Sequence, residues 1–427
     1  MKSTLRLNAK ILPAIGALAF IMQILDPSRV WIILLIGIGG TWLLCRWWIR
    51  GLARITFERE MRYGWAQVGD KLEERFTLTN PFILPATWVT VQDHSDLPDH
   101  HASVATGVDG SSASQWKILS QCTRRGVYTL GGTTLETGDP LGVYTLILED
   151  PTSSTLAVMP PVVSLPGFHI ASKGWAGDGR PNPRSLEETV NASNTREMAP
   201  NDPMRLIHWK STARHNKFFV RQFEGTPAGD WWILLDLHKV SHLGEGWDST
   251  EEHGVILAAS LAARGLNEEH PVGMAINGNE PTWVMPRRNE NQGRSLLKAL
   301  AVATPSELSL KDYLQRTGSS IGSRSSLIII TANVDPAWTE SLLPLIWRGV
   351  MPTVFVLEPT SFGGNGSTRA IEESLQLMGA ACNIISKEML DTRQIRPGTA
   401  GEWEWRVVGT GKAVAVKAPV TDWRRIG

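Results

Sequence analysis

The chain has 427 residues, with 42 Lys and Arg against 42 Asp and Glu and a hydrophobic fraction of 42%. That balance excludes a collagen, a long disordered tail and a polytopic transporter, and it argues against a dedicated nucleic-acid binder. Three scattered cysteines, Cys45, Cys122 and Cys382, exclude a disulfide framework or a cysteine-based zinc site and read as reduced thiols.

The neutral total is not uniform along the chain. Residues 1–54 carry Lys2, Arg6, Lys10, Arg29, Arg46, Arg50 and Arg54 against the single acid Asp26, so this segment is +6 and the remainder −6. Val30–Ile49 has Arg46 as its one charge. As a helix it would be about 30 Å long, the thickness of a hydrocarbon core. Trp31 lies at one end and Trp47 and Trp48 at the other, as in the aromatic belts of membrane helices. The earlier run Ile11–Leu25 is shorter and carries Pro13, and Asp26-Pro27-Ser28-Arg29 reads as a tight turn. The expectation is a membrane hairpin over 1–54, with two transmembrane helices at about 8–25 and 30–49. A cleaved signal peptide fits less well, because no small-residue cleavage site follows Leu25 and a second apolar run begins at once. Basic residues at both outer ends place the termini and the soluble domains in the cytoplasm by the positive-inside rule.

Residues 55–166 read as an antiparallel β-sandwich-like domain. Alternating runs at Glu73–Leu78, Thr87–Val91, Val127–Leu130 and Val143–Leu148 are separated by turn signals at Gly69-Asp70, Asn80-Pro81, Gly131-Gly132 and Gly138-Asp139-Pro140. Residues 167–195, rich in Gly, Pro, Ser and Asn, read as an irregular connector. Residues 225–427 change texture to a doubly wound α/β domain. Its predicted strands are Trp231–Leu235, Val272–Ile276, Leu327–Thr331, Thr353–Leu357 and Cys382–Ile385. A helix is predicted near Glu251–Leu266, capped by Ser249 or Thr250. Thr304-Pro305-Ser306-Glu307 reads as a capping box and Asp335-Pro336 as a second helix start. Trp403–Val408 and Ala413–Val416 read as extra strand.

The densest motif is the junction segment 196–224, which holds six Lys and Arg and three acids in a soluble part that is otherwise acidic. Asp202 is predicted to cap a helix starting at Pro203, with Arg205, Trp209 and Thr212 on one face. Lys217–Glu224 is predicted to be extended. Arg196-Glu197, Asp202, Arg205, Ile207-His208-Trp209-Lys210, Ala213-Arg214, Val220-Arg221 and Phe223-Glu224 resemble the bacterial domain-of-unknown-function 58 family. Arg125-Gly126-Val127-Tyr128 and Gly138-Asp139-Pro140-Leu141-Gly142 add to the resemblance. Met198 and Asn201 depart from the family pattern, which often has an aromatic residue and Gly at these places. The resemblance implies a protein of the bacterial cytoplasmic membrane whose C-terminal half is similar to a von Willebrand factor A domain. It also implies action beside a MoxR-type AAA+ ATPase in assembling or activating other proteins.

Such A domains often bind a divalent metal through Asp-x-Ser-x-Ser at the end of the first strand. This chain reads Asp236-Leu237-His238-Lys239-Val240-Ser241 there. Imidazole and a methyl-bearing side chain replace the hydroxyls that a hard cation wants, so the motif is degenerate and no cofactor is expected. Asp236, His238 and Ser241 instead mark a partner-binding edge. The run from Asp93 to His101 collects three Asp and three His, a temptation to assign a metal, but it reads more simply as a solvated loop. Asp202, His208 and Ser211 have the residue types of a hydrolase triad without its Gly-x-Ser-x-Gly elbow. Arg205, Arg214 and Arg221 read as structural locks between domains, with Trp209, Phe218, Phe219 and Phe223 packed beneath. The overall reading is a membrane-anchored scaffold or adaptor whose partners are the lipid bilayer and another protein, with no nucleic acid expected. The alternatives are a metal-dependent hydrolase and a phosphate or nucleic-acid binder using the Arg-rich junction.

Overall fold

Strict alternation along Lys71–Asn80 sets the architecture of the N-terminal part: Leu72, Glu74, Phe76, Leu78 and Asn80 all point inward and are buried. The structure is a computed structural model. It describes residues 2–61, 64–165, 167–168, 170, 175–176, 180–181, 192–198, 204, 207–215, 217–223, 229–287, 289, 291–322, 325–390, 404–407, 413–417 and 424–425. The chain forms two compact units, Met1–Met159 with Arg396–Gly427, and Pro160–Ile395. Residues 396–427 thus group with the first unit, whereas the sequence reading placed them in one α/β domain with residues 225–395.

The first unit opens with strand β1 (Lys2–Leu7) and helices α1 (Ile11–Leu25) and α2 (Arg29–Leu52). Strands β2 (Thr56–Met61), β3 (Trp65–Gln67), β4 (Lys71–Asn80), β5 (Ala86–Asp93), β6 (Val104–Val108), β7 (Ser112–Gln121), β8 (Gly126–Gly138) and β9 (Tyr144–Met159) follow. One sheet has the order β1-β9-β8-β5-β6, with β3 paired to β9. The other contains β2-β4-β7, with Arg424–Arg425 added at its edge. Their inner faces share one core, in which Phe57, Phe76 and Leu78 meet Val89, Val91, Leu135, Leu146 and Leu148. The Phe76 and Trp116 rings stack 5.6 Å apart.

Two expectations need correction here. Gly131-Gly132 does not end a strand: β8 runs through it with a shift of register against β9, and Gly131 (φ 119°) and Gly132 (φ 72°) form the bulge. A Cβ on Gly131 would lie 2.8 Å from Ser153 Cα, so only glycine fits. The segment before α1, expected only as a basic flank, is a strand paired antiparallel with β9 from Lys2↔Glu149 to Leu7↔Tyr144.

The Asp93–His101 cluster, expected as a solvated loop, is partly buried: the Asp93 and His100 side chains are 5% and 0% exposed. Arg59 on β2 and Glu74 on β4 occupy core-facing positions of otherwise apolar rows. Arg59 Nε donates to Glu74 at 2.7 Å and Nη1 donates to Asp93 at 2.7 Å. His100 Nε2 lies 3.2 Å from each carboxylate, and its Nδ1 lies 2.6 Å from Ser120 Oγ. A guanidinium therefore takes the cationic place between two buried acids. Among the described residues no group of three or more His, Cys, Asp or Glu is arranged to hold a metal ion.

The second unit contains two short ribbons. One joins β10 (Trp175–Ala176) to β11 (Arg180–Pro181). The other joins β12 (Ala192–Glu197) to β13 (Phe219–Phe223), with α3 (Trp209–His215) between them. Its main sheet is built from β14 (Trp231–Asp236), β15 (Val272–Asn277), β16 (Thr282–Arg287), β17 (Ser326–Thr331), β18 (Met351–Leu357) and β19 (Ala381–Ile385), in the order β16-β15-β14-β17-β18-β19. All pairs are parallel except β15 with β16. Burial of β14, β15 and β17 at every residue explains their unbroken apolar sequences. Helices α4 (Thr250–Asn267), α5 (Gln292–Ala301) and α9 (Lys387–Leu390) contribute to the core on one face. Helices α6 (Leu310–Thr317), α7 (Leu343–Trp347) and α8 (Arg369–Leu377) contribute to the core on the other.

Ser249 caps α4 by accepting from the Glu252 N–H at 3.1 Å, as predicted. The Thr304–Glu307 capping box does not form. Ser306 instead pairs with the chain after β14, donating its N–H to Leu237 O and accepting from the Lys239 N–H, each at 2.9 Å. The helix starts later, with Ser309 as its cap. Val163, Leu165, Phe168 and Ile170, expected to belong to the β domain and the connector, pack on the α/β core: the Val163 N–H donates to Ser260 Oγ at 2.9 Å, and Phe168 meets Phe355 edge-on at 5.4 Å. Burial pushes the Cys122 thiol up to about 12 and the Cys382 thiol to about 11, so neither is a ready nucleophile.

The Arg59 network makes a specific prediction. Burial acts to raise the Asp93 carboxyl, but the His100 hydrogen bond and the Arg59 charge outweigh it and hold the group at about 2. A carboxyl lowered from its usual 3.8 stabilises the fold above about pH 4, and that contribution is lost as pH falls through about 2. Arg59→Met leaves two buried acids without their guanidinium and is expected to cost about 3–5 kcal/mol in denaturant melts at pH 7. The deficit should shrink below pH 4, and a pH-independent deficit would contradict the network.

Candidate functional site

Strand order reverses between β14 and β17, the switch point where open α/β sheets bind ligands at their carboxyl ends. β14 ends on Asp236 and β17 on Thr331. Asp236 is 2% exposed. Its Oδ2 accepts from Thr331 Oγ1 at 2.7 Å, and its Oδ1 accepts from Asn277 Nδ2 at 3.1 Å and from the His238 N–H at 3.2 Å. Burial dominates and pushes the Asp236 carboxyl above its ordinary range, with the Thr331 and Asn277 bonds pulling the other way. Asn277 at the end of β15 also donates to Leu308 O at 2.8 Å and accepts from Ser306 Oγ at 3.3 Å. One carboxylate thereby ties together the ends of three neighbouring strands.

These residues do not fit a divalent cation. Both Asp236 oxygens are engaged by protein donors. The positions that would supply hydroxyls are His238 and Val240, and Lys239 brings a positive charge beside them.

Immediately beyond the carboxylate the chain turns outward. Lys239–Ser241 is a single helical turn held by His238, whose Nδ1 lies 3.4 Å from Ser241 Oγ. Val240 is 79% exposed, an apolar side chain offered to solvent at the sheet's carboxyl edge. Lys239 is also largely exposed and lies 3.5 Å from Glu307. The edge is a rigid backbone turn with a mixed apolar and cationic surface. Asp236 supports it from below, and His238 and Ser241 brace it.

The junction motif is described in part. Asp202, Arg205 and Glu224 lie outside the described residues, as does the predicted helix start at Pro203. Arg196 and Glu197 lie on β12 and Arg221 on β13, in an antiparallel pair that sets Arg196 opposite Val220 and Thr195 opposite Arg221. Between these strands the described residues form α3, which begins at Trp209. His208 precedes it. Its carbonyl accepts from the Ser211 and Thr212 N–H groups at 3.0 Å, and its Nδ1 lies 2.8 Å from Ser211 Oγ. This is a local helix start, which accounts for His208 and Ser211 without a nucleophilic role. The Thr212 hydroxyl accepts from the Phe219 N–H at 3.0 Å, joining α3 to β13.

The aromatic residues expected beneath this segment are partly on its surface. Trp209 is 67% exposed and Phe218 54% exposed, and Lys210 and Arg214 are exposed with them. Two of the four aromatic side chains expected beneath the segment, Trp209 and Phe218, thus stand open beside exposed cations.

Residues 194–360 match the family described as Protein of unknown function DUF58. The matched span runs from β12 to the turn after β18 and so includes the junction motif, Asp236 and Thr331. It supports the resemblance read from Arg196–Glu224. No curated protein matches the chain. Among solved structures, the complex of zinc 2-glycoprotein with prolactin inducible protein from human seminal plasma aligns at 9% identity. That alignment covers 24% of this chain and 92% of the other, with a TM-score of 0.19. A Paenibacillus sp. cycloisomaltooligosaccharide glucanotransferase aligns at 9% identity over 77% of this chain and 52% of its own, with a TM-score of 0.17. Scores this low establish no shared fold.

If the Asp236 carboxylate holds the strand ends together, Thr331→Val leaves a buried oxygen without its hydroxyl donor. The expected loss is about 1–3 kcal/mol in equilibrium denaturation of the full chain. A neutral substitution would show that the oxygen is satisfied by water and open to ligands.

Proposed function

We propose that this protein is a membrane-anchored cytoplasmic scaffold or adaptor that presents the carboxyl edge of its α/β domain to a protein partner. The observation that carries the reading is the pairing of a buried, fully engaged Asp236 with the exposed Lys239–Ser241 turn directly above it. The first leaves both oxygens of Asp236 occupied by protein donors, which weighs against a metal-dependent hydrolase built on that residue. The second offers the kind of surface from which an interface hot spot is made. The exposed Trp209, Phe218 and cations around α3 form a second contact area on the same unit.

A von Willebrand factor A-like assignment of this unit is supported by its doubly wound sheet with one antiparallel edge strand and by the degenerate Asp236-Leu237-His238-Lys239-Val240 sequence. The same resemblance suggests a MoxR-type AAA+ ATPase as partner. Anchoring is supported by α2, whose 24 residues are long and apolar enough to cross a bilayer, and by the shorter apolar helix α1. The +6 charge of residues 1–54 supports a cytoplasmic orientation through the positive-inside rule.

The test is crosslinking in native membranes followed by purification through the full chain. An AAA+ ATPase should be recovered with the wild-type protein. Val240→Asp is expected to reduce its recovery roughly fivefold or more, since a central hot-spot residue contributes above about 1 kcal/mol. Recovery of no partner under any crosslinking condition would refute the adaptor reading.

A further inference from the structure

The last two turns of α2 do not behave like the rest of the helix. Val30, Ile33, Ile36 and Leu43 are each at least 64% exposed, whereas Cys45, Ile49 and Leu52 are at most 2% exposed, with no break between the two parts. Burying an aliphatic side chain of this size contributes about 1.5–3 kcal/mol, so Ile49 and Leu52 bolt the helix into the β-domain core. Gly51 touches the Phe82 ring where a Cβ would lie. Trp47 meets the same ring edge-on at 5.2 Å, and Trp48 Nε1 donates to Pro85 O at 3.2 Å. The other end of the hairpin is held too: the Asn8 N–H donates to Val143 O at 2.9 Å, and Asn8 Nδ2 donates to Thr145 Oγ1 at 2.6 Å.

Two β-domain loops therefore stand against the root of the hairpin. Residues 81–85 are pinned by Asn80, which is fully buried, accepts from the Phe82 N–H and donates to Leu84 O at 2.9 Å. Residues 139–143 are pinned by Asp139, whose carboxylate accepts from the N–H groups of Leu141, Val143 and Tyr144. Each loop carries one apolar residue at its tip, with Ile83 72% exposed and Leu141 63% exposed. Rigid loops that hold apolar tips in the open need a partner, and the surrounding charges indicate which. Lys10 and Arg50 are exposed beside the root, and the Arg46 guanidinium lies 5.9 Å from the Tyr144 ring centre.

We infer that Ile83 and Leu141 enter the headgroup layer of an anionic bilayer, with Lys10, Arg46 and Arg50 facing lipid phosphates. The inference rests on the anchoring proposed above. From Val30, about 30 Å of helix ends at Ile49, so the hydrocarbon boundary falls at the level of Trp47 and Trp48. Both rings and the Arg46 side chain are in contact with the residues of these two loops or the strands that carry them. The β domain then sits flat on the membrane as part of the anchor and is not carried on a flexible tether.

Benzoylphenylalanine placed at Ile83 or Leu141 of the full chain, in vesicles of mixed zwitterionic and anionic phospholipid, tests this. Illumination should add the mass of one phospholipid at either position, with a yield comparable to that at Ile33 within α2. The control is Leu119, 65% exposed on β7 and seven residues from the end of that strand that lies beside Asn80. That offset is about 23 Å along the strand, so Leu119 should give no lipid adduct. Lipid adducts at Ile33 but not at Ile83 and Leu141 would overturn the inference and leave the anchor standing. Protein–protein adducts at the two tips would overturn it by making them an interface between copies. Absence of adducts at Ile33 itself would remove the anchor and the inference together.

Discussion

A carboxylate sealed from water at the end of a central strand must find hydrogen-bond donors or destabilise the fold, and in this protein Asp236 finds three of them within the chain. Thr331 and Asn277 supply two from the strands on either side, and the third is the backbone of the very turn that leads outward. The carboxyl edge of the sheet is therefore tied together because one carboxyl group is shared among its strands. The same sharing withdraws Asp236 from metal or substrate chemistry. The turn it supports brings Val240 and Lys239 to solvent.

The first unit shows a parallel arrangement. Arg59, Glu74, Asp93 and His100 form a cluster of buried polar side chains within a β-sandwich core. Like Asp236, these groups look reactive by residue type and are structural by geometry. The helical hairpin is fixed to this rigid body at both of its ends, by β1 on one side and by Ile49 and Leu52 on the other.

Much of this was legible from the chain because burial writes directly into sequence. β14, β15 and β17 are buried at every residue and read as unbroken apolar runs, and Ser249 announced the start of α4. Two of the differences come from competition by distant partners. Thr304–Glu307 has the local chemistry of a helix start, yet Ser306 pairs with His238 far back in the chain. Gly131-Gly132 has the chemistry of a turn, yet the long pairing of β8 with β9 absorbs it as a bulge. β16 escaped notice because Pro286 and its half-exposed face suit an edge strand only. Arg59 and Glu74 could have been found, since each interrupts an inward-facing apolar row two strands apart in the sequence. The degenerate metal motif was visible in His238 and Val240. That Asp236 would be fully engaged was not, because Thr331 lies 95 residues away.

The central claim is that Asp236 is a structural carboxylate under a protein-binding edge. It is tested most directly by titrating the purified full chain with magnesium and manganese, in calorimetry and by manganese paramagnetic resonance, beside the Asp236→Asn variant. The account predicts no saturable ion binding that distinguishes the two proteins. One tightly bound ion per wild-type chain, lost in Asp236→Asn while the variant remains folded, would contradict it.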